Sequence, residues 1–199
     1  MSKNREYRSM ELSMPENTEY RVEGYASTFD PYVLFSEDGI DYSERIEPTA
    51  FEGADLSDVV FRVDHTGPVY ARTSAGSVEL SVDEHGLKNV TDLSRTQKAR
   101  DLYEEIKAGN YPKMSFAFTV AEDRYDKASH TRIIERIAKV FDISPVSFPA
   151  NPGTELSARD YFDGVIEAEK AERLERERQE QEKRKLKLKI QIGGYLNGN

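Results

Sequence analysis

Between Tyr20 and Phe148 apolar residues recur at every second position in short runs broken by turns, and a helical period appears only once. Alternation with a period of two gathers apolar side chains on one face of a strand but scatters them around a helix, so this stretch can bury a core only by pairing strands. Val78, Leu80 and Val82 alternate with Glu79 and Ser81, the turn Asp83-Glu84-His85-Gly86 follows, and Leu87 to Leu93 resumes the extended pattern, which predicts a hairpin. The single helical segment is Gln97 to Ala108, about three turns, with Ala99, Leu102 and Ile106 on one side, Arg100, Tyr103 and Lys107 on another, and Gly109 where a helix stops. Further strands are expected from Met114 to Val120 and from Arg132 to Val140, joined by a turn near Asp126 to His130, before Pro145, Pro149 and Pro152 punctuate the exit. The fold class that follows is mainly β with α, an α+β protein.

The C-terminal part is different in kind. Ser157-x-x-Asp160 has the form of a capping box, and from Val165 to about Arg184 the chain is almost entirely Glu, Arg, Lys, Gln and Ala. Glu169-Arg173, Glu172-Arg176 and Glu180-Arg184 stand at the i, i+4 spacing that favours a helix by about 0.2 to 0.5 kcal/mol per pair. No apolar seam accompanies them, so a solvated, fraying arm is expected rather than a strong coiled coil. Lys185 to Ile192 then alternates with a period of two, the pattern of a strand in search of a sheet edge.

Composition narrows the chemistry. The 199 residues contain no cysteine, which excludes disulfides, thiolate metal sites and cysteine catalysis, and only three histidines without an HExxH, which argues against a catalytic zinc. No glycine-rich phosphate loop is present, and no cofactor is implied. Met1 to Glu11 lacks the apolar core of a signal peptide, so a cytosolic protein without a membrane span is expected. The net charge is -9, and because nine Lys/Arg face seven Glu from Val165 onward, residues 1–164 carry -11. A body of that sign repels phosphate backbones, which makes nucleic acid an unsuitable partner.

Three segments together offer a nucleophile, a base and a carboxylate: Asp64-His65-Thr66-Gly67-Pro68, Lys113-Met114-Ser115-Phe116-Ala117-Phe118 and Asp142-Ile143-Ser144-Pro145-Val146. A serine hydroxyl becomes nucleophilic when an imidazole takes its proton, and a carboxylate fixes the imidazole's tautomer. Alternation puts Phe116, Phe118 and Val120 toward the core and Ser115, Ala117 and Thr119 on the less apolar face. Phe61, Val63 and His65 share a face, so His65 is expected at the end of a strand, ahead of the Gly67-Pro68 turn. Taken singly, each residue has a plainer reading as a strand serine, a turn histidine or a junction aspartate. His85 and His130 fall in predicted turns. The order His65, Ser115, Asp142 is not that of the α/β-hydrolases, the chymotrypsin-like enzymes or the subtilisins, and no Gly-x-Ser-x-Gly elbow is present.

Gly24-Tyr25-Ala26 with Phe29, Ile46-Glu47-Pro48-Thr49-Ala50-Phe51, His65 with Pro68-Val69-Tyr70-Ala71-Arg72, Gly86-Leu87, Ile106-Lys107-Ala108-Gly109, Met114 to Phe118, and Ile143 to Thr154 follow one another in an order and spacing that resemble a known family. The chain resembles the prohead (capsid maturation) serine proteases of tailed phages, related in fold to the herpesvirus assemblins, over about Glu23 to Arg159. The resemblance implies an assemblin-like antiparallel β-barrel with flanking helices: residues 1–19 as an N-terminal extension, 20–160 as the protease domain and 161–199 as the charged helical arm and tail. It carries the family's histidine and serine onto His65 and Ser115. The family's third member is usually a glutamate and here is Asp142, one methylene shorter; assemblins use a second histidine, which leaves His85 or His130 as alternatives. Pro48-Thr49-Ala50-Phe51 also departs from the family's usual Pro-Gly-Ala-Phe. The resemblance further implies a protease in the host cytoplasm, inside the assembling procapsid, that removes the scaffolding segment of the major capsid protein precursor and then cleaves itself, with a homo-oligomer as one arrangement. The rival readings are a catalytically silent scaffold protein that uses the arm for contacts, and a small β-barrel binding module. For the oxyanion, a backbone amide near Ser115 helped by Arg72 or Arg159 is the expectation.

Overall fold

A computed structural model describes residues 5–13, 19–147 and 156–196 of the chain. Among the described residues ten strands and two α-helices follow in the order β1 Glu6–Ser13, β2 Arg21–Thr28, β3 Tyr32–Glu37, β4 Ile40–Ile46, β5 Val60–Arg62, β6 Val69–Arg72, β7 Val78–Val82, β8 Gly86–Asp92, α1 Gln97–Lys107, β9 Lys113–Asp126, β10 Thr131–Val146 and α2 Leu156–Leu196. The chain divides into two units, Met1–Ser157 and Ala158–Asn199. The described residues are therefore mainly β with two helices.

Strands of the first unit pair along the path β3-β4-β10-β9-β1-β2-β8-β7. Two features depart from the expected antiparallel barrel. Among the described residues the path stays open, with β3 and β7 at its ends. Moreover β10 runs parallel to β4 (Thr131–Ile134 beside Ser43–Ile46) and to β5 (Asp142 and Ile143 beside Val60 and Phe61). The chain from β4 to β5 thus tracks one edge of β10, touching it again where Asp55 bridges Lys139, while the antiparallel β9 takes the other edge.

The segment expected as an N-terminal extension supplies an interior strand. Glu6 to Glu11 pair with Phe118 to Lys113 of β9, and Leu12 and Ser13 with Gly24 and Glu23 of β2. Its sequence, Glu-Tyr-Arg-Ser-Met-Glu-Leu-Ser, lacks the apolar alternation of the other strands because its core-facing positions include charged residues. Opposed residues share a face, so Glu6 and Arg8 lie on the side of Phe118 and Phe116.

The core gathers residues of the strands, of the connection between β4 and β5, and of α1. Met114 through Val120 are all buried, so the face of Ser115, Ala117 and Thr119, read as the less apolar one, is covered as well. Phe116 and Phe118 stack with ring centroids 4.5 Å apart, and Phe51 tilts against Phe116. Each such ring contributes about 1.5 to 3 kcal/mol on burial. In α1 the Thr96 hydroxyl caps the helix by accepting from the Ala99 N–H, and Gly109 follows Ala108 with φ +85°. Its buried face is Ala99, Leu102, Tyr103 and Ile106. Tyr103, read with the polar residues, joins the apolar face because it lies four residues from Ala99 and meets the Tyr20 ring edge-on at 5.3 Å. The β7–β8 hairpin forms as expected, and Gly86 at its turn is required by space: a Cβ there would lie 1.9 Å from the Ser27 carbonyl oxygen.

The second unit is the helix α2, and its described side chains from Glu167 to Leu188 are almost all exposed. Arg176 pairs with Glu172, Arg178 with Glu175 and Arg184 with Glu180. Lys185 to Ile192, expected as a strand, continues the helix. Lys, Leu and Gln are good helix formers, and extending an existing helix costs far less than starting a new element. The helix begins at Leu156, one residue ahead of the expected cap at Ser157, whose side chain lies outside the described residues.

A buried ionic cluster joins five strands. Glu44 is fully buried and takes two hydrogen bonds from Arg8, one from the Tyr32 hydroxyl and one from Arg132. Arg8 also donates to Glu6, while Arg132 donates to both oxygens of Glu6 and to Asp123. Burial alone would push the Glu44 carboxyl up, but the Arg8 charge and its hydrogen bonds, then Arg132 and Tyr32, outweigh it and hold the group below the usual carboxylate range. Removing one partner of a buried pair leaves the other charge uncompensated, at a cost of about 3 to 5 kcal/mol. Glu44→Ala is therefore expected to lose about that much stability in urea unfolding at neutral pH; a loss under 1 kcal/mol would contradict the network's role. A depressed folded-state pKa contributes stability that is present above the unfolded value of 4.5 and is lost as pH falls below it. The wild type should accordingly weaken below about pH 4.5 more steeply than Glu44→Gln.

Candidate active site

Ser115 lies near the start of β9, buried, on the face it shares with Ala117. What carries Asp142 to that face is a bulge in β10. Val140 opposes Phe118, but the next pair is Asp142 with Ala117, then Ile143 with Phe116 and Ser144 with Ser115. Were Phe141 paired with Ala117 in regular register, Asp142 would stand opposite Phe116, on the core side. A bulge shifts the phase of every residue beyond it, and here it moves Asp142 and Ser144 to the serine's side.

His65 arrives from the parallel neighbour. Because β5 and β10 run in the same direction, the chain leaving β5 emerges beside the last residues of β10. Strand β5 ends at Arg62, and Asp64 and His65 both adopt left-handed backbone, at φ +47° and +57°. Such conformations in non-glycine residues are uncommon and cost on the order of 1 to 3 kcal/mol each. His65 is thus held by a turn and not, as alternation suggested, by the strand's own pleat. The turn is fastened on several sides: the Asp64 N–H donates to the Pro145 carbonyl (3.1 Å), the Thr66 N–H to Val63 (2.9 Å), and the Arg62 guanidinium to the carbonyls of Thr66 and Gly67.

The three side chains meet in a chain of hydrogen bonds. His65 Nδ1 lies 2.6 Å from Asp142 Oδ1 and Nε2 lies 2.8 Å from Ser115 Oγ. A carboxylate only accepts, so Nδ1 carries the proton and the lone pair of Nε2 faces the serine hydroxyl. That is the tautomer in which an imidazole can act as a general base toward a serine. Asp142 is buried, and the His65 side chain is 18% exposed, so the Asp–His contact lies where water screens it little.

Two contributors were not read from the sequence. The Ser144 hydroxyl donates to Asp142 Oδ1 at 2.7 Å and accepts from the His65 backbone N–H at 3.3 Å, tying the carboxylate and the histidine main chain together. Tyr7 of β1 meets the imidazole edge-on with ring centroids 4.5 Å apart. Ser144 falls within a segment already singled out, and its i, i+2 spacing from Asp142 on a strand was the available signal. Tyr7 carried none, since nothing marked β1 as a strand.

The other candidates lie elsewhere. His85 sits in the β7–β8 turn beside Glu84 and Tyr25, and His130 in the β9–β10 turn, 3.0 Å from the Tyr125 hydroxyl and against the Tyr42 ring. Arg72, considered for the oxyanion, gives its guanidinium to Asp58 through two hydrogen bonds of 3.0 and 2.6 Å. The side chain of Arg159 lies outside the described residues.

A family model described as caudovirus prohead serine protease matches residues 5–165. No curated protein and no solved structure matches the chain. The matched region takes in β1, which the resemblance read from sequence motifs had left out, and it contains His65, Ser115 and Asp142. With 161 of 199 residues inside the match, the chain belongs to the caudovirus prohead serine protease family.

Proposed function

We propose that this serine protease uses Ser115 as nucleophile, His65 as general base and then general acid, and Asp142 as the group that orients His65. The observation that carries the reading is the pair of hydrogen bonds on the two imidazole nitrogens, 2.6 Å to Asp142 and 2.8 Å to Ser115. His65 Nε2 takes the hydroxyl proton as Ser115 Oγ attacks a peptide carbonyl, then returns it to the leaving amine. Water attacks the acyl-enzyme in a second cycle of the same proton transfers. The shorter Asp142 in place of the family's usual glutamate suits a carboxylate that is drawn close by the bulge and braced by Ser144.

Family membership implies a capsid protein as substrate and action within the assembling procapsid. Our finer reading is that the enzyme removes the scaffolding segment of the major capsid protein inside the prohead and afterwards cleaves itself. The arm is the natural place for self-cleavage: α2 exposes most of its described side chains, and its ion pairs, such as Glu172–Arg176, lie on the surface. Local opening of such a helix supplies the extended backbone that a protease requires.

The test is intact mass spectrometry after co-expression with the capsid precursor of the same phage. Loss of a triad serine lowers turnover on the order of 10⁶-fold, so the wild type should shorten the precursor and Ser115→Ala should leave it full length. His65→Ala should behave like Ser115→Ala. Asp142→Asn presents the wrong tautomer partner and should slow turnover on the order of 10⁴-fold, the loss known for the equivalent change in a chymotrypsin-like triad. Full-length precursor with every variant and with the wild type, in shells that still assemble, would favour the silent scaffold instead.

A further inference from the structure

The left-handed pair Asp64–His65 raises the question of what keeps the catalytic turn in a conformation its residues do not prefer. A histidine at φ +57° relaxes toward negative φ unless its neighbours are fixed. The last residues of β10 and Ser147, which follows the strand, supply three fastenings. The Pro145 carbonyl accepts the Asp64 N–H, the Ser144 hydroxyl accepts the His65 N–H, and the Asp64 carboxylate accepts from Ser147. This last contact is the most developed: Asp64 Oδ1 lies 2.9 Å from the Ser147 backbone nitrogen, and the Ser147 hydroxyl lies 3.2 and 3.1 Å from the two carboxylate oxygens. Ser144 belongs to the triad's own hydrogen-bond loop, but Asp64 touches none of the three reacting side chains by any hydrogen bond described, so its contact serves the backbone alone.

We propose that Asp64 is a positioning residue for the proteolytic reaction. Its carboxylate clamps the His65 turn to Ser147, just past the end of β10, and so keeps Nε2 within hydrogen-bond reach of Ser115. The inference rests on the assignment of His65 and Ser115 made above. Aspartate fits the site twice over, as a residue that tolerates left-handed backbone and as an acceptor for the Ser147 N–H. A shift of about 1 Å in a catalytic group can cost on the order of 10²-fold in rate, so a loosened turn would be felt in the chemical step and little in binding.

Glycine and asparagine at position 64 separate the two properties. Glycine accepts the left-handed backbone without penalty but has no acceptor; asparagine keeps an acceptor oxygen and tolerates the conformation. The measurement uses the full chain and a fluorophosphonate probe, in which the serine oxygen bonds to phosphorus as fluoride leaves and the hydroxyl proton passes to the histidine. Inactivation rate and probe affinity are determined separately, alongside the melting temperature. Asp64→Asn is expected to label within about threefold of the wild-type rate. Asp64→Gly should label at least about tenfold more slowly, with probe affinity and melting temperature nearly unchanged. Ser147→Ala, which keeps the backbone N–H, should resemble Asp64→Asn.

Wild-type labelling of Asp64→Gly would overturn the proposal, because the residue would then matter only for its backbone. An equal loss in Asp64→Asn and Asp64→Gly would overturn it as well, since charge and not the hydrogen bond would be at work. Label that persists in Ser115→Ala, or that fails to appear on the wild type, would overturn the assignment of Ser115 and the Asp64 proposal together, and is thereby told apart from the first two results.

Discussion

The pairing of β10 along both of its edges is the constraint on which the rest of the structure depends. On one edge β10 meets β9 and brings Asp142 and Ser144 beside Ala117 and Ser115; on the other it meets β5, from which the His65 turn emerges. Serine and carboxylate are therefore placed by rigid, doubly paired strands, and the histidine by a turn that crosses the end of the middle one. Catalytic groups held on sheet elements keep sub-ångström geometry more readily than groups on free loops. In the mechanism proposed above the histidine is the one member that changes its proton partner, and it is also the one held by a turn and reaching solvent.

Much of this was legible in the sequence, and the division follows the physics of each signal. The helix α1, the β7–β8 hairpin and the opening of β9 declared themselves because their apolar period, cap and turn residues all agreed. His65, Ser115 and Asp142 were found as residue types in three segments whose order and spacing resembled a family, and the structure brings those three side chains together. The reason they meet was not legible. Alternation assigns faces only while pairing is regular, and the Phe141 bulge changes the phase of β10 through a misfit with β9 that no local pattern records. The left-handed pair at Asp64 and His65 is equally silent, since neither residue is glycine.

The strand β1 escaped for a different reason. Its core-facing positions are charged, so the hydrophobic pattern that reveals a strand is replaced by Glu6 and Arg8, whose partners Glu44 and Arg132 lie far away in the chain. Burying so many charges is seldom the most stabilising choice; well-packed apolar residues of similar volume often do as well or better. The network's contribution is more readily understood as register. A slip of one residue would turn the Glu6 and Arg8 side chains to the opposite face, away from Glu44 and Arg132, and the loss of several charge-assisted bonds at once makes that alternative costly.

Register in β1 then bears directly on the active site. Tyr7 lies between Glu6 and Arg8 and, by strand alternation, faces the other way, toward Ala117 and the His65 imidazole. The ionic cluster on one side of the sheet thereby fixes which residue covers the histidine on the other. A slipped β1 would send Tyr7 into the core and present a neighbouring polar residue to the imidazole. The two sides of the sheet are thus coupled by nothing more than the alternation of a strand, and charges buried near Phe118 help to set the environment of an imidazole that they do not touch.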